Sequence, residues 1–311
     1  MADCPVPVAL ITGFLGSGKT TLLKTLAARY GGRRIAWIVN DFGALDVDAE
    51  ALRAGGMEVV SIAGGSMLCR CLATPFRRVM RSVADKASAG QLDGVIIEAS
   101  GIARPSGMDR MLSEFSLDTT LSVASVTCVV DPARFLTARA SLACVAEQVQ
   151  CSDCVLLNKA DTVDAAVLAA VEADIRGLSP APVLRCVHCA VDLDVLAWKR
   201  QAPMDGPIAE EPDRAFARYS AQTEDVQDME RLREEITAIA PTLYRCKGIL
   251  RTNQGPSGWV MVDWTPGGLD VRTFGARKPE RCGLVFIARE GMEGPAQNLC
   301  RAIQQGRFCP G

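Results

Sequence analysis

Leu10-Ile11-Thr12-Gly13-Phe14-Leu15-Gly16-Ser17-Gly18-Lys19-Thr20-Thr21 decides the fold of this chain. The apolar run Val8–Ile11 enters a glycine-rich loop, and Leu22, Leu23, Leu26 and Tyr30 follow it at helical spacing. The order is buried strand, tight loop, then a helix beginning at Lys19. Gly13…Gly18-Lys19-Thr20 has the spacing of a P-loop. Its backbone N–H groups cradle phosphates, its lysine reaches the outer phosphates and its threonine hydroxyl ligates Mg²⁺. The positive end of the helix faces the same phosphates. Gly13, Gly16, Ser17, Gly18, Lys19, Thr20 and Thr21 are therefore the expected nucleotide cradle. A chance Gly-Lys-Thr turn has no reason to be preceded by a strand and followed by a helix.

Moving outward, further apolar strands are expected at Ile35–Val39, Val59–Ile62, Val95–Ile97, Val123–Val130, Cys154–Leu157 and Val183–Val187. Alternation with helices predicts an α/β domain, a mostly parallel sheet flanked by helices, over residues 1–198. One helix is well signalled: Thr74 as cap, Pro75 in the first turn, Gly90 as stop, and Phe76, Val79, Met80, Val83, Ala84 and Ala87 as its buried stripe. Residues 199–214, with Pro203, Gly206, Pro207 and Pro212, read as a linker. Beyond it a smaller α+β domain is expected over 215–311. It has a strand at Phe216–Ser220, a helix over Asp225–Ala240, strands around Ile249, Val260–Trp264, Val271–Phe274 and Leu284–Ile287, and a last helix near Pro295–Ile303.

A length of 311 residues suits two domains. A formal net charge of −2 gives no electrostatic reason to expect nucleic acid or an acidic membrane as partner. No apolar run is long enough to span a bilayer. Met1-Ala2-Asp3-Cys4-Pro5 lacks a basic segment followed by an apolar one, so a cytoplasmic protein is expected. In that reducing compartment the 13 cysteines should be thiols, metal ligands or redox centres. The single histidine, His188, leaves no room for a His-rich metal site.

Three constellations carry chemistry. Asn158-Lys159-Ala160-Asp161 leaves a buried strand on the same sheet edge as the P-loop. An aspartate there accepts both hydrogen bonds from guanine N1–H and the exocyclic amine, a pair that adenine does not offer. Asn158, Lys159 and Asp161 are thus guanine-binding candidates, with His188 and Cys189 beside the base. Glu98 and Gly101 close the central strand. The carboxylate can hold Mg²⁺ or orient the attacking water, and the Gly101 N–H can meet the γ-phosphate. With Lys19 these are the catalytic candidates; a strand-terminal polar turn is the alternative. Thr20 and Glu98 form the expected Mg²⁺ shell, with Asp48, in the switch-like loop after Asn40-Asp41-Phe42-Gly43, either a further member of it or a solvated loop aspartate.

Cys69-Arg70-Cys71 is the third. A helix start and the neighbouring Arg70, Arg77 and Arg78 should lower thiol pKa, and such thiolates suit Zn²⁺ or another borderline metal. Two sulfurs do not complete a tetrahedral site, so a third ligand or a second subunit is needed; two ordinary loop cysteines are the alternative. Length argues against a site joining Cys151 and Cys154 to Cys186 and Cys189. The pairs lie at opposite ends of neighbouring strands, roughly 16 Å apart for five residues.

The P-loop, Asn40-Asp41-Phe42-Gly43, Glu98-Ala99-Ser100-Gly101-Ile102-Ala103-Arg104-Pro105 and Asn158-Lys159-Ala160-Asp161 together resemble the CobW-type metallochaperone GTPases. Those proteins are similar to the urease and hydrogenase nickel-insertion GTPases. Arg245-Cys246-Lys247-Gly248 and Leu284-Val285-Phe286-Ile287 resemble their C-terminal domain. The resemblance implies a P-loop GTPase domain and GTP hydrolysis coupled to delivery of a metal or metallocofactor to a client protein. The chain departs from that family's Gly-Cys-x-Cys-Cys motif: aligned on Gly65, only Cys69 falls in register, with Cys71 two residues later. Three readings stand at this point. One is a GTPase metallochaperone whose thiolates converge with GTP. Another is a GTPase carrying an iron–sulfur cluster or other cofactor bridged by Cys69 and Cys71 of a homodimer. The third is a regulatory GTP-binding module that handles no metal.

Overall fold

The structure is a computed structural model that describes residues 4–41, 49, 52–53, 57–63, 65–198, 200, 204, 206–210, 215–253, 258–274 and 278–309. Its contacts divide it into two units, one of residues 1–42 with 58–212, the other of 43–57 with 213–311.

In the N-terminal unit, strand β1 (Val6–Thr12) buries Val8, Ala9, Leu10 and Ile11 completely. Only a strand covered on both faces can do this, and the parallel arrangement supplies the cover. Strands β2 (Ile35–Asp41), β3 (Val59–Ala63), β4 (Gly94–Glu98), β5 (Leu121–Val130), β6 (Cys154–Leu157) and β7 (Val183–Arg185) complete a seven-stranded sheet in the order β3-β2-β4-β1-β5-β6-β7. Every pairing is parallel. The strand order reverses at β1, so its loop stands at the crevice where such sheets bind ligands. Register places Ile11 beside Glu98 and Thr12 beside Cys128, which brings the P-loop and the β4 terminus to one edge.

Helix α1 (Lys19–Arg29) lays Leu22, Leu23 and Leu26 on the sheet, each worth roughly 1.5–3 kcal/mol when fully buried. Helix α2 (Ala73–Ser88) buries Phe76, Met80, Val83, Ala84 and Ala87, with Val79 half-buried beside them. Phe76 meets Phe115 edge-to-face at 6.0 Å. The start of α2 differs from expectation. Thr74 lies inside the first turn rather than capping it, because a 3₁₀ turn over Arg70–Leu72 precedes the helix and Leu72 holds the cap position. Helices α3 (Met108–Glu114), α4 (Phe135–Ser141), α5 (Ala143–Gln150) and α6 (Ala165–Leu178) fill the crossovers from β4 through β7. Strand β7 stops at Arg185, two residues short of expectation, as His188 and Cys189 turn with φ of 52° and 54°.

Part of the stretch read as linker packs on this unit. Met204 and Ile208 are buried in its core, and Ala209 bridges Cys69.

The C-terminal unit is a six-stranded sheet. Strands β8 (Phe216–Gln222), β10 (Leu243–Thr252), β11 (Trp259–Thr265), β12 (Gly268–Thr273) and β13 (Gly283–Arg289) run in the order β12-β11-β10-β13-β8, with β9 (Val226–Gln227) against β10. All pairings are antiparallel save β9–β10. Helix α7 (Met229–Ile239) begins later than expected, since Val226 and Gln227 pair as a strand and Asp228 caps the Glu230 and Arg231 amides. With α8 (Gly294–Gln304) it closes a core around Leu232, Ile236, Cys246, Phe286, Leu299 and Ile303. A side chain at Gly248 would place its Cβ 2.0 Å from the Gly283 carbonyl oxygen, so glycine is required there.

Candidate nucleotide and metal site

The P-loop is shaped by glycines that cannot be replaced cheaply. Gly13, Gly16 and Gly18 hold φ of 133°, 77° and 116°. A Cβ at Gly13 would lie 2.2 Å from the Val129 carbonyl oxygen, and one at Gly18 would lie 2.4 Å from Asn158 Nδ2. Gly101 is the same kind of contact from the other side, its would-be Cβ 2.8 Å from Leu15 N. Lys19 is buried, and its Nζ donates to the carbonyls of Gly13 at 2.8 Å and Phe14 at 3.3 Å, which holds the cation over the loop. Thr20 Oγ1 donates to Glu98 Oε1 at 3.2 Å, with Glu98 buried at the end of β4. The Thr21 side chain is exposed. An all-oxygen pair of hydroxyl and carboxylate fits a hard cation such as Mg²⁺. The Ser17 and Ser100 hydroxyls are buried without a hydrogen-bond partner among the described residues, as suits a loop that holds a polar ligand. Asp48 lies outside the described residues.

The second loop is tied to the first. Asn158 Nδ2 donates to the Ser17 carbonyl at 2.9 Å, while its Oδ1 accepts from Cys189 N at 2.9 Å. Lys159, at φ 59°, donates from Nζ to the Gly16 carbonyl and to Asp131 Oδ2, both at 2.7 Å. Two of the motif's side chains therefore brace the P-loop. Asp161 stands exposed in a 3₁₀ turn, open to a base. Cys189 is buried, its Sγ 3.5 Å from the Gly18 carbonyl, and His188 is exposed.

The Cys69 loop differs from expectation in its acid–base chemistry. Cys69 is buried and Cys71 exposed, and Cys71 N donates to Cys69 Sγ at 3.4 Å. Partial burial and the hydrogen bond to Cys69 push the Cys71 thiol up to about 11, not down. Arg70, which should have favoured the thiolate, is engaged by Glu114 and Glu210 at 3.1 Å and 3.0 Å. Among the described residues no group of three or more His, Cys, Asp or Glu side chains is placed to hold a metal. The two thiols thus remain an incomplete ligand set, as their number alone implies.

Comparison with known proteins bears on this geometry. Residues 7–185 match the family model described as "CobW/HypB/UreG, nucleotide-binding domain". The chain belongs to that family. Residues 216–304 match the "Cobalamin synthesis protein cobW C-terminal domain", so both units carry a CobW signature. The chain is 35% identical over 212 residues to the zinc chaperone CobW of Pseudomonas aeruginosa, a match covering 57% of this chain and 55% of that protein. The aligned part is thus about half of that relative's length. It is 25% identical to the zinc chaperone YjiA of Escherichia coli over 328 residues, covering 96% of this chain and 98% of the relative. A crystal structure of the Zn(II)-bound Escherichia coli YjiA GTPase aligns with 96% of the chain and 99% of its own, at 20% identity and a TM-score of 0.48. By family the chain is a P-loop GTPase. Among its described residues no helix is long and apolar enough to cross a membrane.

Within this CobW frame, three side chains gain roles that sequence did not single out. Buried Asn40, at the end of β2, donates from Nδ2 to the Ile62 and Gly65 carbonyls and accepts at Oδ1 from Met67 N, each at 2.8 Å. Asp131 anchors Lys159. Gln148 Nε2 donates to the Gly101 and Ala103 carbonyls, fixing the loop after β4 from α5. The signal for Asn40 was present, since Asn40-Asp41-Phe42-Gly43 carried the resemblance. What it lacked was a partner, which only the fold brings near.

Proposed function

We propose that the protein hydrolyses GTP as a zinc chaperone, holding the metal through Cys69 and Cys71 and passing it to a client protein when the nucleotide changes. The observation that carries this reading is the Asn40 carboxamide. It joins the end of β2, from which the switch-like segment departs, to Met67, two residues before Cys69. A change in the β2 terminus on loss of the γ-phosphate would reach the thiols through one buried side chain. That two relatives are named zinc chaperones supports Zn²⁺ as the cargo.

In this reading Lys19 and the loop amides hold the phosphates and stabilise charge that develops in transfer. Thr20 and Glu98 hold Mg²⁺, which when bound offsets phosphate charge; Asp48 is the further candidate for that shell. Glu98 also orients water, and the Gly101 N–H reads the γ-phosphate. Asp161 selects guanine, while Asn158, Lys159 and Cys189 set the base loop against the P-loop. Two thiols leave a tetrahedral ion short of ligands, which a second copy of the chain or the client supplies.

The test is zinc binding by the full chain in a GTP-analogue state and in a GDP state, for the parent and for Cys69→Ser with Cys71→Ser. The parent should bind zinc more tightly with the GTP analogue, and the double variant should bind nucleotide but lose that difference. Equal zinc affinity in both states for the parent would leave a GTPase without metal transfer.

A further inference from the structure

We propose that Cys186 and Cys189 form a reversible intramolecular disulfide that loosens nucleotide binding, making Cys186-Val187-His188-Cys189 an oxidative modification site. The family match ends at residue 185, and the zinc reading gives Cys186 no role and Cys189 only the packing of the base loop.

The geometry comes first. Cys186 N donates to the Leu157 carbonyl, which fixes the residue just past β7. The chain then turns sharply through His188 and Cys189, closed by Ala190 N donating to the Val187 carbonyl at 3.0 Å. The turn folds both cysteines onto one atom: Asn158 Oδ1 accepts from Cys186 Sγ at 3.7 Å and from Cys189 N at 2.9 Å. A disulfide needs the two sulfurs to come within about 2.05 Å across one turn, and here that turn already holds both residues on a single atom, Asn158 Oδ1.

Their chemistry is asymmetric in the useful sense. The Cys189 thiol and backbone N–H both favour the Cys186 thiolate, which lies below the ordinary thiol range. The neighbouring Cys186 and burial push Cys189 far above it. Cys186 is thus the nucleophile and Cys189 the resolving thiol. Both are nearly enclosed, so a small oxidant, a peroxide, is the class that fits. The Cys186 thiolate attacks one peroxide oxygen, the O–O bond breaks, and hydroxide leaves to take up a proton as water. The resulting sulfenic acid is attacked by Cys189 sulfur; the S–S bond forms, the S–O bond breaks, and the Cys189 proton departs with the hydroxyl as a second water. Two thiols are oxidised and one peroxide is reduced.

The effect on the site follows from lost donors. A disulfide sulfur donates no hydrogen bond. Oxidation therefore removes the Cys186 bond to Asn158 Oδ1 and the Cys189 bond to the Gly18 carbonyl, which meet the base loop and the P-loop respectively.

The experiment treats the nucleotide-free full chain with hydrogen peroxide and reads two things: the mass of the peptide containing both cysteines, and the affinity for GDP before oxidation, after it, and after a dithiol. The expected result is loss of two hydrogens from that peptide, a roughly tenfold weaker Kd for GDP, and recovery with dithiol. Saturating GDP before treatment should slow disulfide formation. Cys186→Ser and Cys189→Ser, each compared with its own reduced state, should lose the peroxide response. The proposal is overturned if the peptide mass stays unchanged while other cysteines oxidise, if the disulfide forms without altering affinity, or if Cys186→Ser retains a dithiol-reversible loss.

Discussion

At the residue scale the nucleotide site rests on contacts that tolerate little change. Lys19 holds its charge over the loop through two carbonyls, so Lys19→Ala removes the group proposed to meet the outer phosphates. Turnover should fall by at least about 10²-fold, the usual loss for one such electrostatic partner. Phosphate release measured at saturating GTP checks this, and parent-like turnover would remove the P-loop assignment. Gly101→Ala acts by a different route. Its Cβ would press within 2.9 Å of Leu15 Cα and within 2.8 Å of Leu15 N, so the P-loop backbone must shift. Displacement of that order should slow hydrolysis roughly 10–100-fold with the fold intact by circular dichroism. An active, correctly folded Gly101→Ala protein would show that this approach is packing alone. Asp161 is exposed and braces nothing among the described residues, so Asp161→Asn should leave stability alone and shift base preference from guanine toward xanthine. Competition of GTP, XTP and ATP against a fluorescent GDP reports it; no change in ranking would take the base-reading role from Asp161.

At the scale of elements, the parallel sheet, the P-loop and the base loop were legible because each is local. Val8–Ile11, Gly13–Thr20 and Asn158–Asp161 declare themselves within a dozen residues. What stayed hidden depends on residues far apart in the chain. Thr74 looked like a cap because Pro75 follows it, yet the 3₁₀ turn over Arg70–Leu72 had already started the helical path. Arg70 looked like a thiolate stabiliser, but Glu114 and Glu210 claim its guanidinium. The strap at Met204–Ala209 read as linker from its prolines and glycines. It is instead held by Gly206 N on the Ser106 carbonyl and by Arg70 N on the Ala209 carbonyl, at 2.8 Å each. That strap touches the segment following Gly101 at one end and the Cys69 loop at the other. Asn40 makes the second tie. Asn40→Ala should bring the ratio of zinc affinities between GTP-analogue and GDP states toward one, while GDP affinity moves less than about tenfold. Isothermal titration in both states checks it, and a preserved ratio would direct attention to the strap.

At the scale of the whole molecule, the many buried thiols make stability depend on alkaline pH. Cys128 is pushed up to about 12 by complete burial, and Cys151 and Cys154 reach about 12 through burial reinforced by the Glu147 and Asp153 charges. The ordinary value is 9.0. A folded pKa above the unfolded one means that the native state keeps its proton longer. Stability from these groups is therefore complete below pH 9 and falls as pH rises toward 12. Each thiol contributes a slope of about 1.4 kcal/mol per pH unit in that window, so three approach about 4 kcal/mol per unit. Total stabilities of domains are about 5–15 kcal/mol, so a rise of one pH unit beyond 9 removes a large share of the stability of this unit. Urea midpoints at pH 8 and pH 10, in the presence of reductant to keep disulfides out, should differ sharply. Cys128→Ser should start less stable at pH 8 but lose less on going to pH 10, because its hydroxyl does not titrate there. A parent midpoint that holds steady between the two pH values would mean that water reaches these thiols and that burial is not what sets their chemistry.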